Sequence, residues 1–159
     1  MDNMFVMKDG ATISTVLAKY YNSIAKHLIM FLNKGVDMII AFDTQRSYVP
    51  EIEYKRETRI VQLKFCNGSF CLILNLSDID YTFLESLGRF FCNNDIVFAG
   101  VHIQKDLVML QKQYKIEVRN FVDLSQLASK LFNRPCLSVC GLRELARELG
   151  KPRLLNACS

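Results

Sequence analysis

The sequence predicts an α/β fold in which helices pack on a mixed β-sheet. The apolar run Met38-Ile39-Ile40-Ala41-Phe42 has the length and composition of a strand that is covered on both faces. Asn67-Gly68, between two runs rich in strand-forming residues, is a strong hairpin signal. After this hairpin, strand-length apolar runs alternate with runs of helical periodicity, and this alternation is typical of an α/β sandwich.

Composition indicates a single folded domain over residues 1–159. Half of the residues are hydrophobic and 23% are charged, which excludes a disordered chain, and the net charge of +4 is compatible with a polyanionic partner without requiring one. The N-terminus lacks signal-peptide features and no apolar run reaches membrane-spanning length, so we expect no membrane contact and an intracellular protein of the nucleus, the cytoplasm or both. None of the six cysteines forms a CxxC or zinc pattern, and we expect reduced thiols.

Each predicted element depends on apolar periodicity and on residues that cap or break it. The mixed-charge segment over 46–58 reads as a loop, and Ser77 with Asp80 resembles a capping box. We predict strands over 11–17, about 36–42 (the central strand), 59–66 and 70–74 (the hairpin), 95–100 and 118–122. We predict helices from Asn22 or Ser23 to Gly35, after Ser77, over 104–114, over 124–132 and over about 139–149. Leu107, Val108 and Leu110 form the apolar face of the 104–114 helix, and Asp123 caps the 124–132 helix.

Asp43 is the first candidate site residue. It follows the central strand directly, and in an open α/β sheet ligands gather beyond the carboxyl ends of such strands. The alternative is that Asp43 only forms the turn that leaves the strand, since Asp is a common turn residue. This stretch alone leaves both interpretations open.

Four short motifs stand out when they are taken in order along the chain. They are Phe42-Asp43-Thr44-Gln45, Val61-Gln62-Leu63, the run from Gly100 through Asp106 to Leu107, and Asn120-Phe121-Val122-Asp123-Leu124. Together they resemble the 3′–5′ exonuclease family of the ribonuclease H-like fold, in the branch that includes the Werner-syndrome exonuclease domain and its plant relatives. The family's first motif reads Asp, any residue, Glu. The resemblance covers about residues 11–150.

The resemblance implies a metal-dependent site. In this family two divalent cations, Mg²⁺ or Mn²⁺, clamp the scissile phosphate, and hard cations of this kind prefer carboxylate ligands. Carried onto this chain, Asp43 and Asp106 become the catalytic and metal-binding residues, and Gln45, Arg46 and His102 the substrate-binding ones. For His102 the alternative is a structural role, which is the more common one for a His at the end of a strand. We expect the carboxylates of Asp43 and Asp106 to be neighbours that could share one ion.

Two parts of the family pattern are missing. Gln45 replaces the first-motif Glu, and residues 150–159 contain neither the Tyr nor the Asp of the third motif. We therefore expect a C-terminally truncated, ribonuclease H-like three-layer sandwich with a sheet of five to six strands, lacking the family's C-terminal helix.

Three functions remain open from the sequence. The first is a 3′–5′ exonuclease that hydrolyses RNA or DNA. The second is a domain that binds single-stranded nucleic acid but cleaves weakly or not at all, or instead binds a partner protein or another copy of itself. The third is a fragment without a function of its own. The loss of two carboxylates favours the second. A basic rim formed by Arg46, Lys55, Arg56, Arg59 and Lys64 would contact phosphates, although a solvated surface explains these residues equally well.

Overall fold

The protein is described from a computed structural model that covers residues 2–6, 12–18, 28, 39–50, 56–68, 70–76 and 80–150. In these residues the chain forms a seven-stranded sheet and four α-helices. The strands are β1 (Asp2–Val6), β2 (Thr12–Ala18), β3 (Ile39–Pro50), β4 (Arg56–Asn67), β5 (Phe70–Asn75), β6 (Val97–Gly100) and β7 (Phe121–Asp123). The helices are α1 (Tyr81–Phe91), α2 (Ile103–Tyr114), α3 (Leu124–Leu131) and α4 (Leu142–Leu149), with a 3₁₀ helix at Pro135–Val139.

The sheet is mixed, as the sequence predicts. Its strand order is β1-β2-β5-β4-β3-β6-β7, with parallel pairing between β2 and β5, β3 and β6, and β6 and β7. The remaining neighbours are antiparallel, including the predicted β4–β5 hairpin, where Gly68 has a φ of +56°. The predicted α/β class is confirmed. The sheet has one strand more than expected, because residues 2–6, for which the sequence predicts no strand, pair with β2 as β1.

One large core joins a face of the sheet to α1 and α2. Its centre is a group of aromatic rings, in which the Phe91 and Phe98 centroids lie 4.8 Å apart and those of Phe42 and Phe65 lie 5.5 Å apart. Buried aromatic pairs at such distances add stability beyond the apolar area that they bury. β6, which follows α1, is buried over most of its length, as expected of a parallel strand inside a sheet.

A second, smaller cluster holds α3, the 3₁₀ helix and α4 together. Leu137 and Leu145 are buried in it, and Val101 and Leu124 pack against its edge. Asp123 caps α3, because its carboxylate accepts hydrogen bonds from the backbone N–H groups of Ser125 and Gln126. The predicted cap is therefore confirmed.

The predicted end of the central strand is wrong. β3 does not stop at Asp43 but continues to Pro50, and β4 begins at Arg56, so most of the predicted 46–58 loop belongs to a long hairpin. The physical reason is the ladder between the two strands, which runs from Ala41 opposite Cys66 to Pro50 opposite Arg56. Local sequence polarity does not reveal such a ladder, because both of its strands carry polar residues.

Smaller differences concern the helices. α1 is capped by Asp80, whose carboxylate accepts from Phe83 N at 2.8 Å, while Ser77 lies outside the described residues. Val108 is exposed, since it points away from the core face of α2. β7 and α4 begin three residues later than predicted. Of the predicted 22–35 helix, only Leu28 is described; it is helical and buried.

No helix in the described part of the chain is both long and apolar enough to cross a membrane.

The prediction of reduced thiols is wrong for one pair of cysteines. Cys66 on β4 stands directly opposite Cys71 on β5, with Cα atoms 4.3 Å apart, and the two form a disulfide. The hairpin register explains the pairing, because directly opposed residues of antiparallel strands bring their Cβ atoms close together. Cys92, Cys136 and Cys140 are free.

Candidate functional site

A cavity of about 440 Å³ opens where β6 ends beside β3. Its position matches the sheet edge at which the sequence predicts a site, beyond the carboxyl end of a parallel strand. The lining combines apolar side chains from the second cluster with polar ones from β3, β4 and the turn after β6. The lining residues are Ala41, Phe42, Asp43, Lys64, Cys66, Ala99, Gly100, Val101, His102, Leu124, Gly141 and Leu142.

Asp43 and Lys64 line the polar side of this cavity, and Gln45 contacts Lys64. Lys64 stands opposite Asp43 in the β3–β4 ladder, and its Nζ lies 3.5 Å from Asp43 Oδ2. The same ammonium group donates to Gln45 Oε1 at 3.2 Å. Side chains two residues apart on a strand share a face, so Asp43 and Gln45 both point toward Lys64. One lysine therefore bridges the two first-motif positions.

Asp106 belongs to a different polar group. It lies in the first turn of α2, its side chain is 9% exposed, and it accepts a hydrogen bond from Thr44 Oγ1 at 2.7 Å. Arg46 forms a short salt bridge with the same carboxylate oxygen of Asp106. The guanidinium compensates the charge of a carboxylate that the surrounding core removes from water.

The two acids thus have separate partners. Asp43 and Gln45 leave one face of β3, whereas Thr44 and Arg46 leave the other face and meet Asp106. The structure therefore brings Asp43, Gln45 and Lys64 into one group and Arg46, Thr44 and Asp106 into another. The expected proximity of the Asp43 and Asp106 carboxylates and their roles as metal-binding residues stay predictions.

His102 lies in the turn between β6 and α2 and lines the cavity. Its φ of +55° is left-handed, a conformation uncommon for a residue with a side chain. Asp123 supports this turn, since its carboxylate accepts a hydrogen bond from the backbone N–H of His102. Burial alone would raise the pKa of Asp123, but hydrogen bonds from Ser125, Gln126 and His102 outweigh burial and hold the pKa below 3.8.

Gly100 allows the close approach of β6 to β3 at the cavity floor. A Cβ at this position would lie 2.7 Å from the backbone oxygen of Phe42 and 3.2 Å from Cβ of Ile103. Any side chain would therefore separate the two strands or displace the start of α2. The glycine of the second motif has a steric role here.

The residues present do not fit a two-metal centre. Each acid already faces a basic side chain of the chain itself, and position 45 offers a neutral amide oxygen where the family's motif has a carboxylate. Within the described residues, no group of three or more His, Cys, Asp or Glu side chains is arranged to hold a metal ion. Hard divalent cations need several oxygen ligands, with most of the charge supplied by carboxylates.

Sequence reasoning missed Thr44 and the role of Lys64. Thr44 occupies the motif's unspecified position, and its contact with Asp106 spans 62 residues. Lys64 appeared only as part of a basic rim, because the Asn67-Gly68 turn fixes the register of β4 against β5 and not against β3. Of that rim, Lys55 lies outside the described residues.

Comparison with known proteins agrees with this fold. The sequence profile of a 3′–5′ exonuclease family matches residues 18–156. The protein RISC-interacting clearing 3′–5′ exoribonuclease 1 of Arabidopsis thaliana is 28% identical over 151 residues, which cover 94% of this chain and 73% of that protein.

Solved structures of low sequence identity share the fold. The EXO domain of Aedes aegypti Nibbler superposes with a TM-score of 0.61 at 13% identity, covering 83% of this chain and 62% of the other. Escherichia coli RNase D, an exoribonuclease involved in structured RNA processing, gives a TM-score of 0.63 at 15% identity, covering 85% of this chain and 33% of that one. The profile match spans most of the chain, and the chain belongs to the 3′–5′ exonuclease domain family.

Proposed function

We propose that this domain binds single-stranded nucleic acid and that its metal-dependent hydrolysis is weak or absent. The observation that carries the proposal is the pairing of both acids: Arg46 neutralises Asp106 and Lys64 neutralises Asp43. Hydrolysis in this family needs carboxylates that are free to hold two cations. Without free carboxylates, the cleft is present but does not hold the catalytic ions.

Basic groups around the cavity support binding of a polyanion. Lys64 and His102 line it, and Lys105 is exposed in the first turn of α2, which starts beside the cavity. The apolar lining from Val101, Leu124 and Leu142 gives a surface on which a base could rest. A phosphate backbone would meet the ammonium groups of Lys64 and Lys105 while a base contacts the apolar wall.

The catalytic half of the proposal is tested by digestion of 3′-labelled single-stranded RNA and DNA with Mg²⁺ or Mn²⁺. Wild type and Asp43→Ala should both leave the substrates intact. Gln45→Glu alone should not create activity, because Lys64 and Arg46 would still hold the acids. Robust cleavage by the wild type that Asp43→Ala abolishes would refute the proposal.

The binding half is tested by fluorescence anisotropy of a labelled oligonucleotide over a salt titration. Affinity should fall with salt, and Lys64→Ala should weaken it and reduce the slope of log K against log salt by about 1. Arg89→Ala is the matched control, because it also removes one positive charge and one exposed ion pair. Arg89 lies in the last turn of α1, which leads into the end of β6 that is away from the cavity. Equal effects of the two substitutions would contradict a site at the cavity.

A second candidate function is binding of a partner protein or of another copy of this chain. Val139 is 78% exposed and Leu142 64%, and both belong to the α3–α4 region beside the cavity. Large exposed apolar side chains grouped on one side of a domain often mark an interface. Sedimentation of the wild type against Val139→Ser/Leu142→Ser tests this: a concentration-dependent shift that the double variant removes supports the interface, and a monomer at all concentrations excludes self-association.

A further inference from the structure

We infer that Lys64 supplies, as an ammonium group of the chain itself, the positive charge that other members of the family take up as a divalent cation at the first motif. What we infer for nucleic-acid binding rests on the proposed function, whereas the exclusion of the metal ion concerns one group of side chains only. That group is Asp43, Gln45 and Lys64, and the ligand it excludes is a divalent metal ion.

The position of the ammonium carries the argument. Lys64 Nζ lies within 3.5 Å of Asp43 Oδ2 and 3.2 Å of Gln45 Oε1, so it bridges the two side chains that the first motif directs to one face of β3. The Lys64 side chain is 33% exposed and that of Asp43 63%, so the pair lies at the mouth of the cavity and is partly in solvent. A hard cation seeking the same two oxygens would have to displace the lysine.

The charges of the three side chains agree with Lys64 taking the place of a divalent cation. Gln in place of Glu at position 45 removes one negative charge, and the lysine opposite Asp43 adds one positive charge. Asp43 with a glutamate would carry two negative charges and need an external ion, whereas Asp43, Gln45 and Lys64 sum to zero and need none.

Arg46 repeats this arrangement on the other face of β3. Its guanidinium holds Asp106, the remaining acid of the family pattern in the described residues. The cleft therefore has no uncompensated carboxylate at either motif position. Oligonucleotide binding by this protein should then be independent of divalent ions, and addition of EDTA should leave the anisotropy titration unchanged.

The test is a titration with Mn²⁺ that is monitored by electron paramagnetic resonance. The free ion gives a signal, and this signal is lost when the ion is bound. Three proteins are compared: wild type, Gln45→Glu, and Gln45→Glu/Lys64→Met, in which methionine keeps the apolar stem of the lysine. We expect the double variant to bind one Mn²⁺ with a dissociation constant at least about tenfold lower than either of the others, because it alone has two free carboxylates on one face. Far-UV circular dichroism verifies that each variant is folded.

Two results would overturn the inference. One is a wild type, or Gln45→Glu alone, that binds Mn²⁺ as tightly as the double variant, since Lys64 would then exclude nothing. The other is a double variant that folds but binds no Mn²⁺. Absence of nucleic-acid binding with and without EDTA would instead refute the proposed function, and the Mn²⁺ titration would still decide this inference.

Discussion

The salt bridge between Arg46 and Asp106 gives the most direct test of the site's electrostatics. Asp106 is 9% exposed and accepts from both Arg46 and Thr44, while the Arg46 side chain is 38% exposed. Removing one member of a fully buried pair costs about 3–5 kcal/mol, and exposed pairs contribute about 0–1 kcal/mol. With one partner buried and the other partly in water, we expect Arg46→Ala to lower the free energy of unfolding by about 2 kcal/mol, after discounting for solvent screening.

The assay is urea unfolding followed by far-UV circular dichroism, because the chain has no tryptophan to report by fluorescence. In an Asp106→Asn background the same Arg46→Ala change should cost less than about 1 kcal/mol, since the buried charge is already gone. The difference between the two backgrounds measures the coupling.

Arg89→Ala provides the matched control for this measurement. Arg89 forms an ion pair with Glu85 within α1, and both side chains are well exposed, so its loss should cost only about 0.3–0.5 kcal/mol. If Arg46→Ala cost no more than Arg89→Ala, Arg46 would not be compensating a buried acid, and the argument against metal binding at Asp106 would fail with it.

Two further predictions concern the frame around the site. Gly100→Ala should lower the free energy of unfolding by about 1–3 kcal/mol in the same urea assay, because its Cβ would lie 2.7 Å from the Phe42 backbone oxygen. Gly88→Ala within α1 is the control and should be neutral or stabilising, since a Cβ there meets no atom within 4 Å. Equal effects of the two substitutions would contradict the close approach of β6 to β3 at Gly100. Asp123 has a lowered pKa in the fold, so its charge contributes stability that is fully present above about pH 4, the unfolded value, and is lost as the pH falls through the lower folded pKa. Wild type should therefore exceed Asp123→Asn in stability by a constant amount at neutral pH and lose this advantage below pH 3.8; an advantage that persists in acid would show that the charge is not its source.

Local signals predicted the parts of the fold that depend on neighbours in sequence. The Asn67-Gly68 turn and the Asp123 cap have short-range causes, namely a left-handed turn and a carboxylate beside free N–H groups. The α2 helix followed from its periodicity, apart from Val108, which lies on the exposed face. These features need no knowledge of distant parts of the chain.

Non-local pairing explains the failures. β1 is a strand because β2 lies beside it, and β3 extends to Pro50 because β4 continues its ladder. Cys66 and Cys71 illustrate the same point at shorter range, since only the exact hairpin register places them opposite each other. At the site, sequence identified Asp43 and Asp106 but not the basic partner of each, because a partner is defined by contact and not by spacing.

The pleat of β3 explains why two separate ion pairs form at this edge of the sheet. Successive side chains of a strand leave opposite faces, so Asp43 and Gln45 are divided from Thr44 and Arg46 by a single residue step. A loop beginning at Asp43 would have left the later side chains free to turn to either face, but β3 stays paired with β4 to Pro50, with one register shift between Gln45 and Arg46. Lys64, opposite Asp43, completes the group on one face, and Asp106 completes the group on the other. The β3–β4 register therefore places Lys64 opposite Asp43, whereas α2, packed on the other face of β3, brings Asp106 to Arg46.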